Sequence, residues 1–137
     1  RPFGSPIESP AGIQGKATQF VMILDALQLR LLEKIRSDLA GYSVVRSTSP
    51  LDNRAIWLEI FADGIHKGNS CQTLLKKLNI NCKEVAGLGN DYNDIDFLDI
   101  CAEAYLVANA PVNLQRHYKL VKSDKEEGFT EFISKVL

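Results

Sequence analysis

The sequence predicts an α/β protein in two parts: a small β-α-β-β unit, then a parallel sheet covered by helices. Three observations carry this reading. Residues 18–61 run strand, helix, strand, strand, the order of a small antiparallel or mixed sheet with a helix on one face. From residue 69 onward the order is α, β, α, β, α, β, α, and such alternation argues for parallel strands joined by helical crossovers. Within that second part, Val85–Leu98 (VAGLGNDYNDIDFL) passes from an apolar run to an amide- and carboxylate-rich turn and back to apolar spacing.

Residues 1–17 read as a linker, because they hold three of the five prolines and three of the nine glycines and show no periodicity. The chain begins with Arg1 rather than Met, and the expectation is a piece of a longer protein. Phe20–Leu24 is a candidate buried strand. Asp25 can cap the next helix, where Leu27, Leu31, Ile35 and Leu39 recur every four residues and Leu32 widens the stripe. Gly41 suits the end of that helix. Tyr42–Ser47 is strand-like and the TSPLDN segment is turn-rich. Ala55–Phe61 alternates, with Ile56, Leu58 and Ile60 on one face and Trp57, Glu59 and Phe61 on the other.

The pattern changes at Ala62. A polar loop (ADGIHKGNS) leads into a short amphipathic helix marked by Cys71, Leu74, Leu75 and Leu78. Val85–Leu88 is a buried strand with small residues that let another element pack close. Ile95, Leu98 and Ala102 then recur at i, i+3 and i+7. Glu103–Val107 is the next strand, followed by a helix over Val112–His117 and a strand at Lys119–Lys122. The last helix carries Phe129, Phe132, Ile133 and Val136 on one stripe. Only three parallel strands result, which leaves open edges and little core. Neighbouring strands are therefore expected from an N-terminal segment or from a second chain.

Composition narrows the function. A formal net charge of −1 over 137 residues gives no reason to expect nucleic acid as a partner. No apolar run approaches the length of a membrane span. Cys71, Cys82 and Cys101 stand singly without metal-type spacing, which predicts reduced thiols in a cytoplasmic protein. His66 and His117 are far apart in sequence, and no Ser or Cys nucleophile motif accompanies them. The chemistry is expected at the turn after Leu88, where Asn90, Asp91, Asn93 and Asp94 fall within five residues. In a parallel sheet that turn lies at the carboxyl end of a strand, where ligands bind. Oxygen-bearing side chains gathered there suit a hard cation such as Mg²⁺ with a phosphate partner. Asp and Asn also cap helices and build turns, and Asn93 or Asp94 can serve both purposes.

Three blocks of residues together resemble the Cof-like branch of the haloacid-dehalogenase superfamily of phosphatases. HKGNSCQTLLKKLNI resembles its Lys-Gly segment and following helix. GLGNDYNDIDFL resembles its G-D-x-x-N-D motif. VANAP, with the later Ser-Asp-x-x-x-Gly-Phe stretch, resembles its closing blocks. The resemblance implies that residues 18–61 are the last β-α-β-β part of an α+β cap domain. It implies that residues 62–137 are the C-terminal half of a Rossmann-like, three-layer parallel core. Lys67 then matches the lysine that neutralises charge at the transferred phosphoryl group, and Asn93 the asparagine beside the phosphate. Asp94 matches an acidic residue that orients the metal's surroundings, and Asn109 an asparagine at the same end of the sheet. Asn90 falls where the family usually has a Mg²⁺-ligating Asp, so Asn90, Asp91 and Asp94 are the candidate metal residues. Lys67, Asn93 and Asn109 are the candidate substrate contacts, and Lys67, Asn93 and Asp94 the candidate catalytic group.

Two departures from the family pattern stand out. Asn90 offers a neutral carbonyl where a carboxylate is usual. No D-x-D-G-T-like segment occurs in the 137 residues, and in the family that segment supplies the nucleophile and the general acid. The expected whole is a Mg²⁺-dependent phosphatase of small phosphomonoesters, a sugar phosphate or similar, working through an aspartyl-phosphate, with this chain inactive alone. A non-catalytic binding or interaction module on the same scaffold is the alternative.

Overall fold

The computed structural model describes residue 9, residues 15–49 and residues 55–137. Most of the linker (1–8 and 10–14) and residues 50–53 of the TSPLDN turn lie outside the described residues. Two three-stranded sheets form, one from each part of the sequence.

The first sheet holds β1 (Phe20–Asp25), β2 (Tyr42–Thr48) and β3 (Ala55–Ala62). Its order is β1-β3-β2 with both pairings antiparallel, and Ile56 stands opposite Leu24 and Thr48. The alternation read in β3 is real. Ile56 and Leu58 are buried with Leu24 and Leu32, joined by Leu29, Ile35 and Val44. The other face, with Glu59 and Phe61, looks toward the second part of the chain.

Two expectations fail in this unit. β1 is an edge strand, so Phe20, Val21, Met22 and Ile23 are exposed and only Leu24 reaches the core. Apolar sequence gives the tendency to be covered; it does not supply the neighbour. The four-residue leucine stripe is also out of phase. Residues Ala26–Leu31 wind as a 3-10 turn before α1 (Leu32–Asp38) begins. At three residues per turn the inward set becomes Leu29, Leu32 and Ile35, while Leu27 is 86% exposed.

Asp25 caps that turn as expected. Its Oδ1 accepts from the Leu27 and Gln28 amides at 2.8 and 3.1 Å, and Gln28 Oε1 accepts from the Asp25 amide at 3.0 Å. Loss of such a cap costs about 1 kcal/mol. Asp25→Ala is expected to lower the unfolding free energy from urea melts by that amount, and Asp25→Asn by much less.

The second sheet is parallel throughout, in the order β4-β5-β6, from β4 (Ala86–Gly89), β5 (Glu103–Val107) and β6 (Lys119–Val121). The helices are α2 (Lys67–Leu78), α3 (Ile95–Leu98), α4 (Val112–Gln115) and α5 (Gly128–Val136). Pairing sets Leu88 beside Tyr105 on one face, where the Tyr105 and Phe132 rings meet edge to face at 5.4 Å and bring α5 onto the sheet. Gly89 pairs with Leu106 on the other face, against Leu98 of α3. Three layers result, with Leu98, Leu106, Val107, Val121 and Phe132 at their centre.

Helix ends and exposures also differ from expectation. α2 starts at Lys67, inside the stretch expected to be loop, and its Leu74 and Leu78 are exposed. α3 is one turn long and does not reach Ala102, whose amide instead bonds to Val85 O at 2.9 Å and starts the register of β5. Phe129 is exposed, so α5 packs through Phe132 with Ile133 and Val136. All three cysteines are free thiols. Burial, with smaller contributions from Cys71 and Cys82, pushes the Cys101 thiol up to about 11, so it stays protonated at neutral pH. No helix of the described residues is long and apolar enough to cross a membrane.

Candidate active site

β4 ends at Gly89, and a Cβ there would sit 2.8 Å from both Asp94 Cβ and Leu98 Cδ1. Glycine is thus what lets the chain fold straight back over its own strand end. Asn90 and Asp91 follow, then a 3-10 turn over Tyr92–Asp94 and the start of α3. The turn is held by Asp94, only 4% exposed. Its Oδ2 accepts from the Asn90 and Asp91 amides at 2.8 and 3.1 Å. Its Oδ1 accepts a short bond from Lys67 Nζ, which also reaches Asn93 Oδ1 at 3.3 Å. The strand-end turn and the first residue of α2, 27 positions apart in sequence, therefore meet through one carboxylate.

The Lys67–Asp94 pair does little for stability as an ion pair, since Lys67 is 51% exposed and such pairs contribute about 0–1 kcal/mol. Its effect is to fix where an ammonium points. Gly68 makes the approach possible: a Cβ there would lie 2.6 Å from the backbone oxygen of Asp96. An ordinary Gly-to-Ala change in a helix gains up to about 1 kcal/mol; overlap with a fixed carbonyl costs roughly 1–3 kcal/mol. Gly68→Ala is accordingly expected to lower the melting temperature and to move α2 off α3. Weakened Lys67–Asp94 contact in amide NMR spectra would confirm the cause.

Asp91 is 7% exposed, and its carboxylate is also engaged. Oδ1 accepts from the Tyr92 amide at 2.8 Å and from Thr48 Oγ1 at 3.0 Å, and Oδ2 accepts from the Thr48 amide. Beside it the Arg46 guanidinium stacks 3.6 Å above the Tyr92 ring, whose hydroxyl donates to Asn113 Oδ1 at 2.8 Å. The end of β2 thus clasps the turn. Sequence reading missed Arg46 and Thr48, since nothing local links them to a turn more than forty residues away. It also missed Ser47, Trp57 and Glu59, which with Thr48 line a chamber of about 250 Å³ shared by Lys67, Asn90, Asp91 and Asn93. Only the alternation of β3 hinted at the last two.

Asn109 lies apart from this group. Its Nδ2 donates to Asp124 Oδ1 at 2.9 Å, and its Oδ1 accepts from the Asp124 amide at 3.1 Å. Asp124 in turn borders a cleft with Leu88, Gly89, Asn90, Val107 and Phe129. Asn90 is exposed and stands between that cleft and the chamber. His66 Nδ1 lies 3.1 Å from Asp96 Oδ2. Among the described residues no three His, Cys, Asp or Glu side chains are grouped to hold a metal ion. For a hard cation the turn offers Asn90, which is exposed and lines the chamber, and the carboxylates of Asp91 and Asp94, which each accept three hydrogen bonds and so hold the loop as well. Mg²⁺ takes few protein oxygens of this kind and its remaining ones from water and phosphate.

A lysine and an Asn/Asp turn thus converge at the carboxyl edge of a helix-covered parallel sheet, the place where open α/β sheets bind ligands. Residues 9–133 match the family model of haloacid dehalogenase-like hydrolases, and the chain belongs to that family. Over 95 residues it is 27% identical to a protein of Streptococcus pyogenes serotype M6 to which phosphatase activity is ascribed by name, covering 69% of this chain and 33% of that one. The fold is shared with SMU.1108c of Streptococcus mutans UA159, at TM-score 0.78 and 23% identity over 94% of this chain and 48% of that one. It is also shared with BT4131, a subclass IIB sugar phosphatase of the superfamily, at TM-score 0.69 and 14% identity over 85% and 42%. The chain thus spans a third of its curated relative and under half of these structures.

Proposed function

We propose that this chain is the C-terminal portion of a Mg²⁺-dependent phosphatase of the Cof-like branch, acting on a small phosphomonoester such as a sugar phosphate. Residues 18–61 are then the end of a cap domain and 62–137 the second half of the core, with 1–17 as linker. The observation that carries this reading is Lys67 Nζ held by Asp94 and Asn93 against a polar chamber at the carboxyl edge of the parallel sheet. The sugar phosphatase among the similar folds and the phosphatase name of the streptococcal relative support it.

In this reading an Asp on a segment outside these residues, in the same protein or a second chain, attacks phosphorus. The alcohol leaves with a proton from a neighbouring acid, and water then cleaves the aspartyl-phosphate to inorganic phosphate. Bound Mg²⁺ supplies charge neutralisation for the phosphoryl oxygens. Lys67 donates to one of those oxygens, and a fixed ammonium favours the charge that develops there. Asp94 aims Lys67 while holding the Asn90 amide, and the Asn90 side-chain oxygen would help to hold the cation. Asn93 presents its carboxamide to the substrate phosphate. The free thiols fit a reducing compartment such as the cytoplasm.

The test is phosphate release by the complete polypeptide, upstream segment included, across a panel of sugar phosphates with and without Mg²⁺. Turnover is expected only with the metal and only with that segment; the 137-residue chain alone should show none. One feature favours a second reading, a non-catalytic binding module: Asn90 brings one negative charge fewer than the usual Asp. Metal-independent ligand binding without turnover by the complete polypeptide would select it.

A further inference from the structure

The chamber beside Lys67 opens into a larger groove of about 440 Å³, and Glu59, Lys67 and Asn93 border both. The two hollows differ in chemistry. The chamber is walled by Ser47, Thr48, Asn90 and Asp91, whereas the groove is walled mainly by Val45, Phe61, Ile65, Leu74 and Phe97. We propose that the groove takes the leaving group, so that the preferred substrate is a phosphomonoester of an apolar alcohol or phenol rather than of a polyhydroxylated sugar.

The inference rests on the phosphatase reading above and puts an apolar phosphoester in place of the sugar phosphate named there. Three features of the groove favour this occupant. The groove's volume falls in the range of small-molecule sites. Its one cationic end, Lys67, suits a phosphate attached to the apolar body. At the same junction Glu59 is pinned, with Oε1 accepting from Ser47 Oγ at 2.7 Å and Oε2 from Gln19 Nε2 at 2.9 Å. A carboxylate fixed there repels a second anionic group on the substrate. Sugar hydroxyls would find partners only in Glu59, His66, Lys67, Ser70 and Asn93 of the lining; against Val45, Phe61, Leu74 and Phe97 they would give up water for nothing, while an apolar ring gains by leaving water there.

The test is hydrolysis by the complete polypeptide with Mg²⁺, comparing kcat/KM for phenyl phosphate with that for glucose 6-phosphate. Phenyl phosphate is expected to be favoured about tenfold, the scale of one well-filled apolar contact. Leu74→Asp, at an exposed position of the groove wall, should bring that ratio back toward one. Turnover of both esters with equal kcat/KM, each lowered by Lys67→Met, would overturn the groove assignment and leave the phosphatase reading standing. Turnover of neither, or turnover indifferent to Lys67→Met, would overturn both.

Discussion

Lys67→Met in the complete polypeptide is expected to cut kcat/KM by about 10²–10³-fold, the usual cost of removing one fixed donor to developing oxyanion charge. The effect should fall mainly on kcat, because a phosphoryl group gains charge at its oxygens as the reaction proceeds and only then depends fully on the ammonium. Stability should change little. Lys67 is half-exposed and its ion pair with Asp94 contributes at most about 1 kcal/mol. Lys67→Arg should recover part of the rate, since a guanidinium keeps the charge but sets it further from the helix. Steady-state kinetics beside thermal melts separate the two outcomes. A variant with lost activity and an unchanged melting temperature is the expected result.

Asp94→Ala should do the reverse in part, damaging the fold as well as the chemistry. The Asn90 and Asp91 amides both end on Asp94 Oδ2, and the carboxyl is buried. Orphaning two amides at roughly 1–2 kcal/mol each predicts a loss of about 2–4 kcal/mol. For a chain of this size that corresponds to a fall of about 5–12 °C in melting temperature. Asp94→Asn keeps one oxygen for the turn and should lose less than half as much. Activity should drop in both, because Lys67 loses the partner that aims it. A melting temperature unmoved by Asp94→Ala would show that the turn is held by something other than this carboxylate.

These two residues also mark how far the sequence could be read. Asp94, Asn90 and Asn93 lie within one turn, so a strand ending in glycine before a cluster of short polar residues was enough to find them. Lys67 followed only from the resemblance of its Lys-Gly segment to the family's, and the close pass of Gly68 over the Asp96 carbonyl gives the glycine a physical reason. The parallel order of β4, β5 and β6 followed from alternation of element types, and the facing of β3 from its period of two. Arg46 and Thr48 were illegible for a different reason. Their contacts with Tyr92 and Asp91 join residues more than forty positions apart, and no local spacing encodes such a meeting. The phase of the first helix was lost to a 3-10 turn, whose three-residue repeat a four-residue stripe cannot reveal. The burial of β1 was misjudged because its apolar residues lie on an edge strand with one covered position, Leu24.

The clasp of β2 on the turn has a consequence for the chemistry. Asp91 spends its carboxylate on Thr48 and on the Tyr92 amide, and Asp94 spends its own on Lys67 and two amides. Of the three residues named for a cation, Asn90 is the exposed one, and Asp91 and Asp94 are buried. On the proposed reading the two acidic residues would shape the loop, and a neutral ligand would share in holding the cation.

The most direct measurement is a crystal structure of the complete polypeptide with orthovanadate and Mg²⁺. The account predicts the oxyanion in the chamber between β2 and the turn, with Lys67 Nζ and Asn93 in hydrogen-bond contact with its oxygens and the Asn90 carbonyl directed at the cation. An oxyanion bound elsewhere, with Lys67 still paired to Asp94 and turned away from it, would contradict it.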